Sequence, residues 1–288
     1  MKTLINICGT GRSGSTMLDL MLGNDKDAFS LGEIHAWYRP YRNHHFKIKC
    51  SCGMDPCPVL TKIIYSNESN FHKEAFEKLQ VDWLIDSSKS INWVIDNNLW
   101  LSNTDIKVWN LLLYKNIYDY IFSIWKRGGK IEDAIKKYTN YYYKFFDANL
   151  SFISINYDEL VQNPKLLLIK ISKLTGLPYY NGKEKFWEKQ HHFAFGSYGI
   201  RKQTEKKKSE IKPTKYSQEY LELIPKIKAK IKNNNNNKLN YIQTRINKYN
   251  INTGDYYNGH PEKKLWYYQH NVKYYLKKYF PDKWEFDQ

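Results

Sequence analysis

Acidic residues are scarce in this chain: 29 Asp and Glu stand against 45 Lys and Arg over 288 residues, a formal charge of +16. The imbalance points to anionic partners and keeps every class of them open: nucleotides, sulfated or phosphorylated substrates, nucleic acid and membrane surfaces. A tilt toward Lys, Asn and Ile, seen in the run from Lys232 to Lys238, is of a kind that genome base composition produces, so charge alone selects no partner. Also missing is any apolar run near the ~18 to 20 residues of a membrane span. The opening MKTLINIC meets Gly, Thr, Arg and Ser where a secretory signal would have to stay hydrophobic. A soluble, cytoplasmic protein is expected. Cysteine is limited to four residues, three of them inside CSCGMDPC, which speaks against a disulfide framework tying distant segments together.

The most informative absence is a single lysine. ICGTGRSGST, residues 7 to 16, has the spacing of a phosphate-binding loop, with Gly9, four residues, Gly14, and then Ser15-Thr16 where Lys-Ser/Thr is usual. In nucleotide hydrolases that lysine reaches the β- and γ-phosphates while the hydroxyl beside it holds magnesium. Without it, a metal-chelated triphosphate fits poorly. What remains is a nest of backbone N–H groups from Gly11 to Thr16, the hydroxyls of Ser13, Ser15 and Thr16, and the guanidinium of Arg12. Such a set at a helix N-terminus suits a compact terminal anion of lower charge.

TLINIC (residues 3 to 8) reads as a buried strand, and STMLDLML after the glycine turn has helical apolar spacing. VDWLIDSSKS (81 to 90) reads as a strand with a polar end. IKVWNLLLYKN (106 to 116) is a longer strand, followed by a helix that closes at Gly128-Gly129. SFISINYDEL contains a fourth strand, and a helix runs from Pro164 to Gly176. Alternating strands and helices predict an α/β fold: a mainly parallel sheet flanked by helices, P-loop NTPase-like, with ligands at the carboxyl ends of the strands. The catalytic domain is placed at residues 1 to 205. Residues 206 to 288 form a basic, aromatic-rich, mainly helical C-terminal extension, with loops at RKQTEKKKSEIKPTK and at the asparagine run, and an amphipathic helix at KKLWYYQHNVKYYLKKYF.

Five ordered segments carry a family resemblance. GTGRSGSTMLDLMLG followed by SLGEI resembles the 5′-phosphosulfate loop and Gly-Glu element of sulfotransferases that use 3′-phosphoadenosine 5′-phosphosulfate (PAPS). LIDSSKSINW is similar to the Asp-Ser-Ser-Lys-Ser strand end of the bacterial-type members, and LLLYKNIYDYIFSIWKR to their 3′-phosphate element. INYDELVQNPKLLLIKISKLTGLPY and HHFAFGSYGIR resemble the later Tyr-Glu-Asp-Leu and His, Gly, Arg elements. The resemblance implies the three-layer sulfotransferase fold and sulfuryl transfer from PAPS to an acceptor hydroxyl or amine, with no metal required. It implies a 5′-phosphosulfate site of Gly11, Arg12, Ser13, Gly14, Ser15 and Thr16, and a 3′-phosphate site of Lys115 and Ser123 completed by Arg201 or Arg127. Lys115 stands where arginine is usual, and Asn116, Ile117 and Tyr118 also depart from the pattern; a lysine lacks the bidentate fork. By the same resemblance, Glu33 is the candidate general base with His35 in reserve, Lys89 faces the bridging oxygen, and Arg12 serves the leaving phosphate.

Cys50, Cys52 and Cys57, with His44 and His45 just upstream, are spaced C-x-C-x₄-C, which lacks a second pair of zinc ligands downstream; a structural or redox role is favoured over zinc. A small-molecule kinase is the nearest enzymatic alternative, and the missing lysine counts against it. A nucleic-acid-binding module would suit the charge, but the C-terminal tyrosines have the helical spacing of a packing face. The acceptor is left open among a charged glycan, a peptide tyrosine flanked by carboxylates and a small molecule. Trp37, Tyr38, Tyr41 and the tyrosines at 138 to 143 serve either to stack on it or as core.

Overall fold

The computed structural model describes residues 1–46, 49–64, 66–206, 211, 216–234 and 236–261. Five strands form one parallel sheet: β1 (Thr3–Cys8), β2 (Ala28–Gly32), β3 (Trp83–Asp86), β4 (Lys107–Tyr114) and β5 (Ile153–Asn156), in the order β2-β3-β1-β4-β5. Central β1 is buried along its whole length, as an all-parallel sheet covered on both faces requires. It pairs in register with β4 from Thr3–Lys107 to Cys8–Leu112 and with β3 from Thr3–Trp83 to Asn6–Asp86. The four strands expected from the sequence are present, and β2 is an additional one.

The helices are α1 (Ser15–Leu22), α2 (His35–Tyr38), α3 (Phe71–Leu79), α4 (Ile91–Leu101), α5 (Ile117–Trp125), α6 (Ile131–Asp147), α7 (Tyr157–Gln162), α8 (Pro164–Thr175), α9 (Tyr198–Lys206), α10 (Gln218–Asn234) and α11 (Asn236–Lys248). Helix α6 shows why its residues form a helix here. Ala134, Ile135, Tyr138, Thr139, Tyr142, Phe145 and Phe146 recur at three- and four-residue spacing and make one buried stripe. Asn116 and Asn156 cap α5 and α7, each accepting a hydrogen bond from the backbone N–H two residues on. Asn116 thus does the capping work an aspartate would do. Gly176 ends α8 in the left-handed conformation at φ +83°, where a glycine avoids the Cβ penalty.

The C-terminal part differs from expectation in two places. In the asparagine run, expected as a loop, Asn233 and Asn234 end α10 and Asn236 and Asn237 begin α11, with position 235 outside the described residues. Asparagine is only modestly unfavourable in a helix, and burial of Leu223, Ile227, Ile231, Ile242 and Ile246 in the same apolar cluster as α5 and α6 outweighs it. The segment RKQTEKKKSEIKPTK begins in helix α9, not in a loop; positions 207–210 and 212–215 lie outside the described residues, as does the expected helix at 263–280. Residues 249 to 257 run along the outer edge of β5, where Ser154 N–H donates to Tyr249 O (2.7 Å) and Phe152 and Tyr257 exchange backbone hydrogen bonds of 2.9 Å. An otherwise open parallel edge is thereby paired.

Candidate active site

The connection leaving β1 leads toward β2 on one side of the sheet, while those leaving β3 and β4 lead to the other. Loops that diverge in this way leave a crevice at the carboxyl ends of the strands. Here it is a cleft of about 1110 Å³. Among the described residues that line it, eight are Lys or Arg and one, Glu33, is acidic, so the cavity favours an anion.

The first turn folds as the glycines dictate. Gly9 has φ +136°, and a Cβ there would lie 2.1 Å from the Leu113 carbonyl. Gly14 has φ +94°, and its Cβ would meet Tyr157 at 2.7 Å. Neither position tolerates a side chain. The loop and the first turn of α1 bring Gly11, Arg12, Gly14, Ser15 and Thr16 to the cleft, but Ser13 is fully buried and does not line it. Thr16 Oγ1 accepts from the Ser197 N–H (3.1 Å), which leaves its proton available to the cleft. Arg12 adopts φ +76°, and of the five non-glycine residues with positive φ among the described residues, Arg12, Lys89 and Phe195 line the cleft. Strained backbone of this kind gathers at functional sites. Burial lowers the Arg12 pKa, helped by the nearby Arg127 and Arg42.

Glu33 and Lys89 meet across the cleft floor, with Lys89 Nζ 2.7 Å from Glu33 Oε1 and 2.7 Å from the Ser87 carbonyl. Burial alone would raise the Glu33 pKa; the Lys89 charge and hydrogen bond outweigh it and bring the pKa below the ordinary value. Glu33 is therefore held as a carboxylate. Gly32 before it has φ +68° and runs so close to the Ala194 carbonyl that a Cβ would sit 2.4 Å from it, which accounts for the Gly-Glu pair. His35 is buried, its Nδ1 lacks a hydrogen-bond partner, and burial pushes its pKa down to about 4, so it is neutral near pH 7.

Two tyrosines hold these pieces in place. Gly9 N–H donates to the Tyr141 hydroxyl (2.7 Å), which donates in turn to Lys89 O (2.9 Å), coupling the first loop to the Asp-Ser-Ser-Lys-Ser turn. Tyr157 packs on Gly14 and lies 3.8 Å beneath Lys115 Nζ as a cation–π partner. Asp86 supports the turn by accepting from Ser88 N–H (2.9 Å) and Trp93 Nε1 (2.7 Å). Ser87 donates to Asp19 (2.6 Å), a fully buried carboxyl whose pKa burial raises to about 7.

Lys115, Ser123, Arg127 and Arg201 also line the cleft. Burial lowers the Lys115 pKa despite Asp119 and Asp158 nearby. The Ser123 proton goes to Tyr120 O (2.7 Å), so the hydroxyl faces the cleft mainly as an acceptor. Arg127 follows the same strand–helix unit as Lys115 and Ser123, whereas Arg201 on α9 donates to Lys49 O (3.3 Å) and lies over Phe193. Of the aromatic residues proposed for an acceptor, Tyr41 and Tyr141 line the cleft, Tyr41 stacking on His35, while Tyr38, Tyr138 and Tyr142 are core. The basis for Tyr141 and Tyr157 was visible as a tyrosine-rich helix and a Tyr-Asp-Glu-Leu segment, but their partners were not.

No protein-family model matches the chain, and no curated protein does. Among solved structures it resembles the sulfotransferase domain of the Synechococcus PCC 7002 olefin synthase, with 15% identity and a TM-score of 0.50 over 79% of this chain and 94% of that one. The sulfotransferase domain from the curacin biosynthetic pathway aligns over 79% of this chain and 98% of its own length, with 15% identity and a TM-score of 0.47. The first likeness establishes the fold, a sulfotransferase-type α/β fold with a P-loop-like first turn. Among the described residues, no helix is long and apolar enough to cross a membrane.

Proposed function

We propose that this chain is a sulfotransferase that moves a sulfuryl group from PAPS to an acceptor hydroxyl or amine. The observation that carries the reading is the convergence of a glycine loop without the phosphate lysine, Arg12 and the Glu33–Lys89 pair in one basic cleft, where Glu33 is the one carboxylate among the described lining residues. That set suits in-line displacement. The acceptor oxygen attacks sulfur as the bond from sulfur to the bridging phosphate oxygen breaks, and the acceptor proton passes to the Glu33 carboxylate. Charge growing on the leaving phosphate is met by the loop amides and Arg12. Lys89 spends two of its three donors on Glu33 and Ser87 O, and the third is available for the bridging oxygen.

Lys115 and Arg127, with Ser123, are the proposed 3′-phosphate contacts, with Arg201, which also lines the cleft, as the alternative to Arg127. Tyr41 and the basic lining favour a hydroxyl carried on an acidic acceptor, such as a charged glycan or a peptide tyrosine flanked by carboxylates, over a neutral small molecule. A thermal-shift comparison tests the donor. PAPS and its desulfated product PAP should stabilise the protein without metal, by about 2.7 kcal/mol at a hundredfold excess over Kd. Tight magnesium-dependent ATP binding with indifference to PAP would overturn the reading in favour of a kinase.

A further inference from the structure

The cysteine cluster, read from the sequence as lacking its remaining ligands, acquires one in the fold. His192, 135 residues beyond Cys57, brings Nδ1 to 3.4 Å from Cys57 Sγ and 4.0 Å from Cys50 Sγ. The ligand atoms of Cys50, Cys52, Cys57 and His192 all lie within 4.8 Å of one another. His44 and His45, the nearer candidates, turn away and pack by Tyr41 and Phe195.

We propose that Cys50, Cys52, Cys57 and His192 form a structural zinc site that staples the two segments walling the cleft. A tetrahedral ion with Zn–S near 2.3 Å and Zn–N near 2.05 Å requires S···N separations of about 3.6 Å, and the two separations above bracket that value. Four protein donors of the Cys₃His type close the coordination sphere, the mark of a structural rather than a catalytic zinc. A disulfide would use two of the sulfurs and leave the third and the imidazole without a reason to converge.

The surrounding backbone is arranged for thiolates. Cys52 N–H points at Cys50 Sγ and Leu60 N–H at Cys57 Sγ, each at 3.4 Å. Gly53, at φ +81° with its N–H on Cys50 O (3.2 Å), makes the turn that sets Cys50 and Cys52 side by side. None of the four lines the cleft, yet both flanks lead into its wall. Arg42, His44 and His45 precede the cysteines. Phe195, Gly196 and Ser197 follow His192, and Ser197 reaches Thr16 in the first loop. Ser51 and the 191–193 segment are already laced together, with Ser51 Oγ donating to His191 O (2.7 Å) and Ser51 N–H to Phe193 O (3.1 Å). A zinc ion would complete this clamp, binding as the thiols lose their protons. The inference is independent of what the cleft transfers.

The test is metal analysis of the full chain purified under reducing conditions and supplied with zinc. About one zinc per chain is expected, falling to near zero in His192→Ala and retained in His192→Cys, which preserves a fourth ligand. Cobalt reconstitution of the wild-type protein, which needs no variant to fold, should produce the visible bands of a tetrahedral ion together with thiolate-to-cobalt charge transfer. Absence of bound metal after reconstitution, equal zinc in wild type and His192→Ala, or a Cys50–Cys57 disulfide in reduced preparations would each overturn the site.

Discussion

Replacing Glu33 with glutamine keeps the shape of the cleft floor while removing the one carboxylate among the described lining residues. Loss of a positioned general base typically costs ~100-fold or more in rate, about 2.7 kcal/mol at 1.36 kcal/mol per decade. The same change removes the charged partner of Lys89 at 2.7 Å and should lower stability by about 1–3 kcal/mol, the scale of a hydrogen bond to a charged group. Turnover measured with saturating PAPS, PAP affinity and denaturant unfolding separate the two effects: kcat should collapse while PAP binds within a few-fold of wild type. The pH profile adds an independent reading. Lys89 holds the Glu33 pKa below its ordinary value, so the acid limb of kcat/KM should lie below the usual glutamate range, with activity lost as pH falls through it. In Lys89→Met, burial loses its main opponent and the limb should move to higher pH. A Glu33→Gln enzyme within fivefold of wild-type kcat, or an acid limb unmoved in Lys89→Met, would refute Glu33 as the base.

Lys115→Ala should raise the PAPS KM more than tenfold with a smaller change in kcat, and an unchanged KM removes Lys115 from the donor site. Tyr141→Phe deletes the hydroxyl between Gly9 N–H and Lys89 O and should cost about 1–3 kcal/mol of stability through the unpaired buried amide, measurable by urea unfolding. Asp19 titrates the other way from Glu33: its folded pKa is raised from 3.8 to about 7, so the folded state holds a proton the unfolded chain has lost. Stability contributed by protonated Asp19 should decline as pH rises from about 4 to 7, and Asp19→Asn should remove that slope.

Much of the fold was legible because its signals are local. Four strands announce themselves as short apolar runs bounded by turn residues, and the glycines of the first loop mark a strand–turn–helix by their backbone needs alone. Strand β2 was not legible. AFSLG is short and interrupted by Ser30 and Gly32, and it becomes a strand only by pairing with β3, with a register shift between those two residues. The asparagine run misled for the complementary reason: its weak local preference yields to isoleucines that bury against α5 and α6.

The site divides along the same line. Sequence alone determined what the first loop is made of, because the missing lysine, the two obligatory glycines and Arg12 lie within a few residues of one another. It also named Glu33, Lys89 and Lys115 through a resemblance, without a distance between any two of them. Only the tertiary structure decided that Ser13 turns inward, that Lys89 ties Glu33 across 56 residues, and that His192 joins three cysteines it follows by more than a hundred positions. Hydrogen bonds and ligand sets form between atoms a few ångströms apart, and which distant atoms come that close is settled by the packing of the sheet and its helices, not by any property of the residues themselves.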